Sequence, residues 1–194
     1  MIAKPMDWDS AQAYTGDGEK MTPGGHVVRI MAMRQEMSRN NKPMIVVAFD
    51  IEEGSELDGF YKRQHDARKG YNAAAKWTGV IRYMLYARDG MSTNGFFKGF
   101  IDAVEKSNPG YCWNWDERSL AGKKVGMIFG EEEYKDLQNG VVRVTVKAQQ
   151  ARSVQAVLDG VPVPPIKKLP MSDTNGYAPA ASGFTQVEDD ELPF

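Results

Sequence analysis

Two groups of residues carry the chemistry that this sequence could perform. The first spans Gly59 to Arg88. It holds seven cations, Lys62, Arg63, Arg68, Lys69, Lys76, Arg82 and Arg88, against a single acid, Asp66. Interleaved with them are Phe60, Tyr61, Tyr71, Trp77, Tyr83 and Tyr86. Cations follow phosphates, and an aromatic face stacks on a base of any identity, so this mixture suits a single nucleic-acid strand. The candidate contacts are Tyr61, Lys62, Arg63, Arg68, Lys69, Lys76, Trp77, Arg82 and Tyr83. The competing reading is that some of the rings fill a core and the charges form a solvated face. Strand alternation over Trp77 to Leu85 puts Trp77, Ile81 and Tyr83 on one face and Arg82, Met84 and Tyr86 on the other. Neither face is cleanly polar, so alternation does not decide between the two. The second group is Asp189-Asp190-Glu191-Leu192-Pro193-Phe194. Three carboxylates precede an aliphatic residue, a stiff proline and a phenylalanine whose α-carboxylate adds another negative charge. Such a peptide does not fold alone. It suits insertion of an aromatic end into a partner's apolar pocket while its acids meet a basic rim.

Other chemistries lack their residues. There is no phosphate-cradling P-loop and no GxGxxG. Cys112 is the single cysteine, and His26 and His65 have no cysteine nearby, so neither a zinc site nor a Cys–His nucleophile is expected. No cofactor is called for, and no catalytic residue is assigned. One thiol makes no internal disulfide, which fits a cytoplasmic protein. No apolar run is long enough for a membrane span, and Met1 to Ser10 has no apolar stretch of the signal-peptide kind. The net charge of −2 hides an asymmetry. Residues 169–194 carry five acids and no Lys or Arg, which leaves 24 basic and 21 acidic residues before them. The body is mildly basic and the tail acidic. Glu131-Glu132-Glu133 reads as a solvated hairpin end, because neighbours in a strand point to opposite faces and do not share a cation. Trp113 and Trp115 lie in an aromatic-dense loop. They read as a cap that closes the end of the domain, with a second stacking platform as the other possibility.

The elements that must position these groups are mainly β. Val27 to Glu36 and Met44 to Ile51 read as a hairpin around the turn cluster Ser38 to Lys42. Phe60 to Gln64 reads as a short strand, and Lys76 to Tyr86 as another. Phe96 to Ser107 is the principal helix: Phe97, Ile101 and Val104 recur at helical spacing, Asn94 is placed to cap it, and Asn108-Pro109-Gly110 stops it. Lys123 to Phe129 and Val141 to Gln149 read as strands joined through the turn signal Asn139-Gly140. Strands, one helix, then two strands is the order of an OB-fold-like five-stranded Greek-key barrel. Beyond Gly160 the composition shifts, with six of the ten prolines. The expected organisation is a lead-in over 1–25, an OB-like domain over 26–160, a flexible Pro/Gly/Ser linker over 161–188 and the acidic docking tip over 189–194. Linker and tip together make a disordered C-terminal tail.

Two resemblances are carried by these segments. Residues 189–194 resemble the acidic C-terminal tip of bacterial and phage single-stranded DNA-binding proteins, with Glu191 and Leu192 as conservative departures. The runs Phe97-Lys98-Gly99-Phe100-Ile101, Ser107 to Tyr111, Trp113 to Glu117 and Phe129 to Tyr134 resemble a family of phage and prophage proteins from Gram-positive hosts. Pro23-Gly24-Gly25 and Asp50 to Tyr61 are similar too, so the likeness covers about Pro23 to Lys167. That family is described as single-stranded DNA-binding proteins of a replication or recombination module. The resemblance implies coating of single-stranded DNA and recruitment of replication, recombination or repair proteins through Asp189 to Phe194, in a bacterial cytoplasm. A homo-oligomer is compatible with it. The alternatives are a strand-annealing recombinase and an interaction adaptor that binds no DNA.

Overall fold

A computed structural model describes residues 3–6, 8–9, 18–52, 54–70, 72–137 and 139–170. The acidic tip and the rest of 171–194 therefore lie outside the described residues, as does Tyr71. Five strands, β1 Gly24–Met37, β2 Pro43–Ile51, β3 Val80–Met84, β4 Lys124–Lys135 and β5 Val142–Arg152, form one antiparallel sheet. The order across it is β3-β2-β1-β4-β5. The mainly-β expectation holds. The ladder is open between β3 and β5, although their Cα atoms approach within 8 Å.

The inner face of this curved sheet is built from strand alternation. Val28, Ile30, Val47, Phe49, Ile81, Tyr83, Val125, Met127 and Phe129 are all buried in one cluster. The helix α2, Gly95–Ser107, closes it with Phe97, Phe100, Ile101 and Val104. Its start is fixed as the sequence implies: the Asn94 side chain accepts hydrogen bonds from Phe96 N and Phe97 N. Its end is held by Asn108, whose amide donates to Val104 O and Lys124 O.

A second helix corrects the reading of Phe60 to Gln64 as a strand. α1 runs Phe60–Lys69. Only Phe60 and Tyr61 are buried, and the eight residues after them are polar or small, with no β-branched side chain to favour a strand. Gly59 offers no capping side chain. The cap comes from β2 instead: Asp50 accepts from Tyr61 N at 2.9 Å and Lys62 N at 3.1 Å. Gly79 makes the junction between α1 and the sheet possible. A Cβ there would lie 2.4 Å from Phe49 O and 2.7 Å from Tyr61 Cγ.

β4 also outruns its expected end. Glu131, Glu132 and Glu133 remain in the strand, paired with Val146, Thr145 and Val144 of β5. Glu132 is buried against the Lys167 ammonium at 2.8 Å, so the three acids are not a solvated hairpin end. Lys167 also bonds through its backbone to Glu131 O and Glu133 N, both at 2.9 Å. Residues 161–170, expected as the start of a flexible linker, thus include an anchor along β4. The short helix α3, Val154–Leu158, leads into this strap and sets Val157 against Gly126 and Gly25, where a Cβ would lie under 3.0 Å from it.

Candidate nucleic-acid interface

The register of the sheet defines which cations share its outer face. Arg34 of β1 pairs with Val46 of β2, and Val46 pairs with Arg82 of β3. These three side chains form one row across the meander, on the side opposite Met33, Val47 and Ile81. The adjoining rows are Ala32, Ala48 and Val80 on one side and Glu36, Met44 and Met84 on the other. Further along, Arg29 pairs with Asp50 and with Lys124 of β4. Four cations, Arg29, Arg34, Arg82 and Lys124, therefore sit over an apolar floor on one face.

That placement depends on a bulge. The β1–β2 register shifts between Ile30 and Ala32, so Met31 is the extra residue. Arg29 and Arg34 are five residues apart and would face opposite ways in a regular strand. The bulge restores both to the outer face. Val46 is only 2% exposed although it lies outside the core cluster. A central-strand valine flanked by two long arginine stems is covered in this way.

Carboxylates hold three of these cations in place. Glu52 takes two hydrogen bonds from Arg29, at 2.9 and 2.6 Å, and one from Lys124 Nζ at 2.9 Å. The Arg29 hydrogen bond holds the Glu52 carboxyl below its ordinary pKa, against the burial that pushes it up. Glu36 pairs with Arg34 Nε. Asp50 is occupied by α1. The exposed Arg39 and Lys42, in the β1–β2 turn, extend the positive edge. With two cations pinned by one buried carboxylate, the face presents fixed N–H donors rather than loose side chains.

Of the sequence candidates, Arg82 reaches this face. Tyr61 and Tyr83 do not. Both rings are core, 6% and 7% exposed, with Tyr61 edge-on to Phe49 and Tyr83 stacked on Phe100. Burial pushes both phenols well above their ordinary pKa. A ring so enclosed has no face left for a base, so both leave the list of stacking residues. Trp77 is half-buried and its indole N–H donates to Phe49 O and Gly79 O, an anchor at the head of β3. Lys62, Arg63, Arg68 and Lys69 ride on α1. Lys62 pairs with Asp66, Arg63 with Glu19, and Arg68 with Gln64 and Thr78. Lys76 is half-buried in the loop between α1 and β3. The basic segment is thus divided between a helix and a strand rather than gathered on one surface.

Arg29, Arg34 and Lys124 are the residues that sequence reasoning passed over. β1 and β4 are distant in sequence, and no local pattern reports their pairing. Among the described residues no helix is long and apolar enough to cross a membrane. The sequence matches no protein-family model and no curated protein.

Proposed function

We propose that this protein binds single-stranded DNA across the outer face of β1, β2 and β3, without catalysis. The observation that carries this reading is the row Arg34–Val46–Arg82, continued by Arg29 and Lys124 above an apolar floor. Phosphates meet fixed guanidinium groups, and the planar faces of those groups, lying over the covered floor, accept unpaired bases without reading their edges. The strand order, with α2 inserted between β3 and β4 and the unpaired edges β3 and β5 near one another, supports an OB-type Greek-key arrangement. In that architecture the face of the second and third strands is the surface that meets oligonucleotides. The acidic run with Leu192, Pro193 and Phe194 supports recruitment of replication, recombination or repair proteins by residues 189–194, in phage-type replication or recombination in a bacterial cytoplasm.

The test is a titration of the whole chain with oligo-dT, the matching blunt duplex and single-stranded RNA, each at two salt concentrations. The expected result is tighter binding to oligo-dT than to duplex, weakening steeply with salt. Equal affinity for oligo-dT and duplex removes the single-strand preference, and no affinity for any of them at low salt leaves the adaptor reading. Annealing of complementary strands faster than in buffer alone would identify a recombinase instead.

A further inference from the structure

Among the described residues, Asn41 and Trp115 are the non-glycine residues with positive φ, at 52° and 68°. Asparagine tolerates that conformation in turns, whereas tryptophan adopts it only under constraint. Strain of this kind persists only where the surrounding structure holds it, and it clusters at ligand clamps and active sites. Trp115 is 73% exposed. Its ring rests on Trp113, with centroids 4.5 Å apart and planes tilted by 37°. Trp113 is firmly set. Its ring meets Phe97 edge-on at 5.6 Å, its backbone N–H donates to Glu105 Oε1 at 2.9 Å, and its indole N–H donates to Asp116 O at 3.3 Å. One indole is therefore scaffold, and the other is held out from it at a backbone cost of order 1–3 kcal/mol.

The two indoles wall a groove of about 280 Å³ whose floor is Phe97 and Ile101 of α2. This is below the range of pockets that enclose drug-sized ligands, so it suits a single planar ring system. Thr93, Lys98 and Glu105 supply polar groups to its lining. Lys98 is paired with Asp102 and Glu105 accepts from the Trp113 backbone N–H, so the groove is on balance slightly acidic. It is suited to an aromatic ring more than to a phosphate. Through Thr93 the groove lies next to the end of β3. Beyond Arg82 and Met84, the next residue of the same parity is Tyr86, which is exposed and bridges to Thr93. From Arg82 to Tyr86 the extended chain spans about 13 Å.

We infer that Trp115 is a nucleobase-stacking platform, and that the groove between it and α2 takes one base of the single strand that crosses the outer face of β1–β3. This inference rests on the proposed function and adds a base site to its phosphate-binding face.

Trp115→Gly is the informative variant, because glycine accepts φ near 68° without strain and the fold keeps its melting temperature. Loss of one stacked base, about 1–3 kcal/mol, lowers oligo-dT affinity by about 5- to 150-fold and removes most of the tryptophan quenching caused by the oligonucleotide. Trp115→Phe restores most of the affinity. An oligonucleotide of abasic sites binds wild type and Trp115→Gly equally. If wild type binds oligo-dT and Trp115→Gly binds it equally well with the same quenching, the groove is no base site and the outer-face reading survives. If wild type binds no single strand, both fall. Saturation of the groove by a peptide of residues 186–194, with oligo-dT failing to displace it, would also overturn the base assignment.

Discussion

Replacing Arg34 and Arg82 together by glutamine tests the outer face most directly. Glutamine keeps much of each aliphatic stem over Val46, so packing is largely retained while both charges go. If Arg29, Arg34, Arg82 and Lys124 each neutralise one phosphate, the log–log salt slope on single strands is about −2.8, and the double variant reduces it to about −1.4. The same relation sets the affinity loss: about 25-fold at 0.1 M salt, shrinking to about fivefold at 0.3 M. A packing defect would not shrink with salt in this way. Fluorescence anisotropy with labelled oligo-dT at four salt concentrations measures the slope, and a thermal melt confirms the fold. The paired variant Arg34→Lys/Arg82→Lys keeps the charges and so keeps the slope, although it loses the bidentate geometry. An unchanged slope in the glutamine variant, or an affinity loss that is the same at every salt concentration, refutes the assignment of this face.

Tyr83→Phe removes a buried hydroxyl that has no hydrogen-bond partner among the described residues, so stability is unchanged or rises by about 1 kcal/mol while oligo-dT affinity stays at the wild-type value; a loss of affinity without a loss of stability would return Tyr83 to the binding surface. Gly79→Ala forces a Cβ against Phe49 O and the Tyr61 ring and lowers stability by about 2–3 kcal/mol, read from the urea midpoint. Glu52→Gln leaves Arg29 and Lys124 without their shared carboxylate. Because both cations are partly exposed, at 40% and 49%, the loss at neutral pH is about 1–2 kcal/mol rather than the larger value of a fully buried pair. The sign follows from the depressed folded-state pKa of Glu52: its stabilisation is present above the ordinary glutamate pKa and disappears as pH falls through the lower folded value. Urea titrations of wild type and Glu52→Gln therefore converge at acid pH, and a gap that persists there contradicts this account.

The elements most legible in sequence were those specified locally. α2 announces itself through the spacing of Phe97, Ile101 and Val104 and through Asn94, and the structure begins the helix at the residue after that cap. The β1–β2 and β4–β5 hairpins follow from β-rich runs around turn residues, and Gly140 has the positive φ its turn requires. The errors arose where a distant group decides. Phe60-Tyr61 looks like a strand fragment until Asp50, ten residues before Phe60, supplies its carboxylate to the N–H groups of α1. Glu132 looks solvated until Lys167 is brought beside it from 35 residues away.

The candidate site was less legible than the fold for the same reason. Counting cations in a window finds Gly59 to Arg88, because composition is local. A binding face is instead a property of register. One bulged residue, Met31, decides whether Arg29 and Arg34 point the same way, and only cross-strand pairing sets Arg34 and Arg82 about two strand spacings apart, roughly 10 Å. Aromatic content misleads in the same direction. Tyr61 and Tyr83 are rich in stacking surface, yet both spend it on Phe49 and Phe100. Trp115, in a loop that reads as a cap, is the ring held out of the core, and its backbone conformation rather than its neighbours in sequence marks it. What sets the proposed Trp115 platform apart from the structural rings of Tyr61 and Tyr83 is thus the combination of strain with exposure, and neither is encoded in residue type.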